Sequence, residues 1–80
     1  MSYSSMTPSI RDAERNRVLR FIYDQYTTTG IPLTMREIMR GVGVRSSSTL
    51  QGHLRSLQRV GAIEREAGTP RTIRPRLEFP

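Results

Sequence analysis

Residues 34–54 read TMREIMRGVGVRSSSTLQGHL, a stretch that carries the local signals for two short helices joined by a turn. Thr34 and Glu37 have the spacing of a capping box, in which a Thr hydroxyl and a Glu carboxylate satisfy backbone amides at a helix start. Gly43 supplies a turn, and the serine run that begins at Ser46 can cap the next helix. The stretch therefore predicts a helix, a tight turn and a second helix.

The second of these helices, expected over about residues 46–60, has two distinct faces. On a wheel of about 100° per residue, Leu54 and Leu57 lie within about 40° of Leu50, which predicts a buried face. His53 lies on its flank and is expected to pack there, with contact to a phosphate as the alternative. The opposite face is small, polar and cationic and carries Ser48, Gly52, Arg55 and Arg59.

Upstream of the stretch, residues 10–28 predict a longer helix. Val18, Ile22 and Tyr26 recur at four-residue intervals and form one apolar stripe, and Gly30 follows as a terminator. Residues 1–8 are polar, lack periodicity and end in a proline, so we expect a flexible arm there, with Ser9 as a helix cap.

Downstream of the stretch, residues 62–66 and 71–74 alternate apolar and polar positions around the turn-rich segment 67–70. This pattern predicts a β-hairpin whose Ile63 and Ile73 face the helices. Pairing is expected to stop before Pro75, which leaves residues 75–80 as a flexible tail. The predicted fold class is mainly α with a small β-hairpin, a three-helix winged helix-turn-helix over residues 9–74.

The charge of the chain favours a polyanionic partner. The 80 residues carry 13 basic and 7 acidic side chains, a net charge of +6, and the isoelectric point is about 11.3. Nine of the basic residues and four acids lie in residues 31–80, so the binding surface is expected there. All the basic residues are arginine, which suits phosphates and guanine edges, although codon bias explains the missing lysine equally well.

Several function classes are excluded by composition. The chain has no Cys and one His, which excludes disulfides and Cys-ligated zinc and leaves no basis for a metal site or a catalytic trio. It is also too short for a separate catalytic domain with a deep cleft. No apolar run could span a membrane or form a signal peptide, so we expect a cytoplasmic protein with no enzymatic activity, cofactor or small-molecule substrate.

The third helix and the hairpin carry the candidate nucleic-acid contacts. Hydroxyl and amide side chains can read base edges, and a mid-helix glycine, which costs about 1 kcal/mol against alanine, suits close approach to DNA. The alternatives are serines that only cap, a tolerated surface glycine and a solvated arginine face. The expected base contacts are Ser46, Ser47, Ser48, Thr49, Gln51 and Gly52. The expected backbone contacts are Arg36, Arg45, Arg55, Arg59, Thr69 and Arg71.

The chain resembles the N-terminal DNA-binding domain of the LexA repressor family over about residues 15–73. The matching strings are Gly30-x-Pro32-x-Thr34 with Arg36-Glu37-Ile38, Gly43-Val44-x-Ser46-Ser47-Ser48-Thr49-Leu50-x-Gly52-His53-Leu54, Leu57-x-Arg59-x-Gly61-x-Ile63 and Thr69-x-Arg71-x-Ile73. The resemblance implies SOS-type transcriptional repression, with the third helix in the major groove of a palindromic operator that has GAAC-like half-sites. It also implies base reading by residues 46–52.

The resemblance does not extend to the peptidase domain that dimerises these repressors, which nothing in the sequence supplies. The chain is therefore either part of a longer repressor or a freestanding protein of a phage or mobile element. We expect a homodimer, formed on the DNA or through a missing domain. The alternative function is a winged-helix module that binds protein and modulates a host or phage repressor. Its binding face would need apolar anchors, which the polar face of the third helix lacks.

Overall fold

The structure, a computed structural model, describes residues 10–66 and 71–77. In these ranges three helices precede a two-stranded antiparallel sheet, which confirms the predicted winged helix-turn-helix. The elements are α1 Ile10–Thr29, α2 Met35–Val42, α3 Ser47–Arg59, β1 Ile63–Glu64 and β2 Arg74–Pro75. The predicted arm, the Ser9 cap, the hairpin tip at 67–70 and residues 78–80 lie outside the described residues.

The helix ends follow the predicted local signals. The Thr34 hydroxyl accepts from the Glu37 N–H at 3.2 Å, and the Thr34 N–H donates to Glu37 Oε1 at 2.9 Å, which completes the capping box of α2. Gly43 ends α2 with φ 85°, a left-handed conformation that glycine adopts without strain, and its N–H donates to the Met39 carbonyl at 2.8 Å. The turn into α3 is therefore set by short-range contacts.

The core lies where the three helices meet the hairpin. Val18 and Ile22 of α1 and Leu50 and Leu54 of α3 are fully buried, as the periodicity predicts. The remaining buried apolar residues are Leu33, Ile38, Val44, Leu57, Ala62, Ile63 and Ile73. Tyr26 packs against this cluster while partly exposed. This packing holds α3 with its opposite face toward solvent.

The hairpin is tied to the link between α1 and α2 as well as to its own partner strand. Glu64 pairs with Arg74, and the Thr72 hydroxyl extends the pairing by accepting from the Glu66 N–H at 3.0 Å. On the other side, Leu33 and Ile73 exchange two backbone hydrogen bonds of 2.7 and 3.2 Å. The wing therefore has a bridge to residue 33 that fixes it beside α2.

The prediction that pairing stops before Pro75 is wrong. Pro75 is buried and pairs with Ile63, and the next N–H, that of Arg76, donates to the Ala62 carbonyl at 2.9 Å. In an antiparallel ladder, hydrogen-bonded and non-hydrogen-bonded pairs alternate, and the pair of Ile63 with Pro75 is of the second kind. The missing proline donor therefore faces away from β1 and interrupts nothing there.

Candidate nucleic-acid interface

The start of α3 presents hydroxyl groups beyond the one that caps the helix. Ser46 is the N-cap, and its hydroxyl accepts from the Thr49 N–H at 3.3 Å. Ser47, Ser48 and Thr49 are exposed in the first turn, whereas Gln51 is half-buried on the flank of the helix. One serine is thus sufficient for capping, and three hydroxyls remain at the surface to donate to or accept from a ligand.

Gly52 lies on the exposed face of α3, one turn after the serines. A Cβ atom built at this position would have no atom within 4 Å, so no internal packing requires a glycine here. The open space outside the helix is available to an approaching surface. This observation fits the interpretation of close approach, because a mid-helix glycine otherwise destabilises the helix.

Exposed arginines occur on α3 and on the segments that precede it in the helix-turn-helix. Arg55 and Arg59 are exposed on the helix itself, Arg45 is exposed just before its cap, and Arg36 is exposed in the first turn of α2. Among the described residues, no carboxylate forms an ion pair with any of these four. Their guanidinium groups can therefore bind an external anion without first breaking an internal pair.

The structure also places two arginines of α1 beside α3, which sequence reasoning missed. Arg11 and Arg15 form one wall of a groove of about 340 Å³ whose other wall is the outward face of α3. The α3 wall includes Ser48, Thr49, Gly52, Arg55 and Arg59. Their i, i+4 spacing put Arg11 and Arg15 on one face of α1, but only the packing of α1 on α3 shows what that face adjoins.

Arg71 lies outside this groove, next to α2. Its two terminal nitrogens contact Glu37 Oε1 and Oε2 at 3.3 and 3.1 Å, and Nη1 also donates to the Pro32 carbonyl at 3.3 Å. The pKa of Glu37 is held below its ordinary value mainly by the Thr34 N–H and further by Arg71. Arg71 is thus internally paired, unlike Arg36, Arg45, Arg55 and Arg59. Thr69 lies outside the described residues.

His53 joins α3 to α1, as well as packing on the flank of the leucine face. It is 4% exposed, and its Nε2 lies 2.7 Å from Glu14 Oε1. Burial confirms the packing interpretation, while the carboxylate partner was not predictable from α3 alone. The pair orients α3 relative to the first turns of α1 and so helps to form the groove.

Within residues 10–66 and 71–77, no helix is both long and apolar enough to cross a membrane. The same ranges hold no group of three or more histidine or acidic side chains placed to bind a metal ion.

Three helices, a wing and an exposed cationic face on the third helix define a winged helix-turn-helix DNA-binding domain. The family model described as LexA DNA binding domain matches residues 11–72. The chain belongs to this family.

Three relatives of this chain are LexA repressors. It is 42% identical over 62 residues to the LexA repressor of Lactobacillus acidophilus, covering 78% of this chain and 30% of that one. It is 46% identical over 56 residues to the LexA repressor of Bacillus velezensis, covering 70% and 27%. It is 43% identical over 56 residues to the LexA repressor of Clostridium novyi, covering 70% and 28%. The chain therefore spans less than a third of the length of these relatives.

Proposed function

We propose that the domain binds double-stranded DNA sequence-specifically and forms the DNA-reading part of a transcriptional repressor, with α3 in the major groove. The observation that carries this is the outward face of α3, where hydroxyls, a glycine and arginines stand together. The helix itself, residues 47–59, contains no acidic residue. Such a face suits base edges and phosphates and lacks the apolar anchors of a protein-binding helix.

The two ends of α3 have different proposed roles. Residues 46–49 and Gly52 lie toward its N-terminal end and contact base edges, with Gln51 reaching an adjacent base from the flank. Arg55 and Arg59 follow on the same face and bind phosphates, joined by Arg36 and Arg45 nearby. Phosphate contacts fix the position of the helix, and the base contacts select the sequence.

A single domain of this size offers a small interface, and useful specificity comes from two copies on a two-fold related operator. We therefore propose a homodimer on DNA, acting in the cytoplasm on the nucleoid. The proposed activity is binding alone, with no cofactor and no small-molecule substrate.

Selection of bound sites from random duplexes with the purified chain tests the proposal. We expect enrichment of a palindrome with GAAC-like half-sites. Absence of any enriched sequence would contradict sequence-specific binding and favour a protein partner. A matched selection with the variant S48A/T49A should lose preference at the bases that these hydroxyls contact, while R59Q should weaken all sequences alike.

A further inference from the structure

The groove between α1 and α3 has a basic wall on the α1 side that the proposed base and phosphate contacts do not use. Arg11 and Arg15 stand on this wall, opposite Arg55 and Arg59 on α3. The two α1 arginines lie about 40° apart on the helical wheel and so share one face. Four arginines thus converge on one channel, although only two of them belong to the recognition helix.

The two α1 side chains are held differently. Among the described residues, Arg11 is exposed and forms no ion pair. Arg15 Nη1 donates to Ser56 Oγ at 3.4 Å, and its Nη2 lies 3.0 Å from Asp12 Oδ1. The bond to Ser56 directs Arg15 across the groove to α3, while Asp12 neutralises part of its charge.

The shape of the groove complements DNA. A helix that enters the major groove lies between two sugar-phosphate ridges. A channel that runs beside that helix and is lined by arginines can receive one of those ridges. We propose that Arg11 and Arg15 bind the phosphate backbone of the DNA that α3 reads, so that one DNA strand lies in the groove between α1 and α3. This inference rests on the proposed function.

Two carboxylates of α1 lie near the groove, and each is paired with a basic side chain. Asp12 faces Arg15, and Glu14 is paired with His53 at 2.7 Å and lies 3.9 Å from Arg17. Asp12 therefore competes with a phosphate for Arg15, and its removal should strengthen binding. Arg11 forms no ion pair with a carboxylate among the described residues, so its substitution tests phosphate binding more directly than a substitution of Arg15 does.

The test measures binding of the full 80-residue chain to a random-sequence duplex of about 30 base pairs as NaCl is varied. We expect Arg11→Gln to lower the slope of log K against log salt by about one unit. If the slopes of the two proteins differ by about 0.9 and their affinities are equal at 1 M salt, the variant binds about eightfold more weakly than the unaltered chain at 0.1 M salt. Asp12→Asn should change the affinity in the opposite direction.

Arg20→Gln is the matched control, because residue 20 lies about 180° from residue 11 on the same helix. Its side chain is 83% exposed, so the substitution removes one positive charge without loss of packing. Equal losses for Arg11→Gln and Arg20→Gln would overturn the inference, since both would then report net charge only. If the unaltered chain binds neither this duplex nor any site recovered by the selection from random duplexes, the proposed function fails and the inference fails with it.

Discussion

Arg71 and Glu37 form a bidentate ion pair between the hairpin and α2, with nitrogen to oxygen distances of 3.3 and 3.1 Å. Arg71 has φ 58°, a left-handed conformation that non-glycine residues rarely adopt. Its contacts with Glu37 and with the Pro32 carbonyl hold it in that conformation. Glu37 therefore both caps α2 and fixes the returning strand of the wing beside it.

The first prediction concerns stability against pH. The pKa of Glu37 is lowered from 4.5 in the folded chain, mainly by the Thr34 N–H, with Arg71 adding to the effect and burial opposing it. A carboxyl whose folded pKa is depressed stabilises the fold above its unfolded pKa, and this contribution is lost as pH falls through the folded pKa. We expect Glu37→Gln to lower the melting temperature at pH 7, and we expect the difference from the unaltered chain to disappear as the pH falls below the folded pKa of Glu37. A difference in melting temperature between the variant and the unaltered chain that does not change with pH would contradict this prediction.

The second prediction concerns the same pair on DNA. If Arg71 contacts a phosphate, as expected from the sequence, it must first leave Glu37, so Glu37→Gln should tighten DNA binding. An exposed ion pair of about 0.5–1 kcal/mol corresponds to about two- to fivefold in affinity. Gln at residue 37 can still accept the Thr34 N–H, so the cap is retained.

Glu64→Gln is the control for this effect. Glu64 pairs with Arg74 at 2.9 Å, and its replacement by Gln changes the net charge by the same amount as Glu37→Gln. The tightening should be specific to residue 37 and should vanish when Arg71 is also replaced by Gln. Equal tightening in both single variants would show that only net charge matters.

The third prediction compares two helical glycines. A Cβ at Gly41 would overlap the ring of Phe21, whereas a Cβ at Gly52 meets nothing within 4 Å. Overpacking costs about 1–3 kcal/mol, and alanine gains up to about 1 kcal/mol over glycine in a helix. Thermal denaturation should therefore show Gly41→Ala destabilised by up to about 2 kcal/mol and Gly52→Ala stabilised by up to about 1 kcal/mol. In a Phe21→Leu background the penalty at residue 41 should shrink; an undiminished penalty would rule out the ring contact as its cause.

The fourth prediction isolates the role of Gly52 in binding. Gly52→Gln should leave the melting temperature unchanged or raised and should weaken operator binding about tenfold, comparable to one mismatched base pair. Gly52→Ala should lie between this variant and the unaltered chain. A gel shift in which both variants bind with unaltered affinity would refute close approach of α3 to DNA at this residue.

Predictions from sequence succeeded where the deciding contacts are short in range. The capping box joins Thr34 to Glu37, the Ser46 cap joins residues three apart, and Gly43 bonds back to Met39 four residues before it. The faces of α3 also followed from spacing alone, because a regular helix converts residue number into direction. The polar face proposed to read bases was therefore predictable.

Other features depend on residues far apart in sequence. Arg71 meets Glu37 across 34 positions, His53 meets Glu14 across 39, and Arg15 meets Ser56 across 41. Pro75 could take part in the hairpin only because the ladder turns its missing donor away from β1.

The sequence by itself determined the three helices, their ends and which face of each is apolar, since propensity, capping and periodicity act within a few residues. The tertiary structure alone decided that the wing is tied to α2 and that α1 adds a second basic wall beside α3. Which exposed charges become neighbours depends on how the buried faces pack against one another, and that information is spread over the whole core.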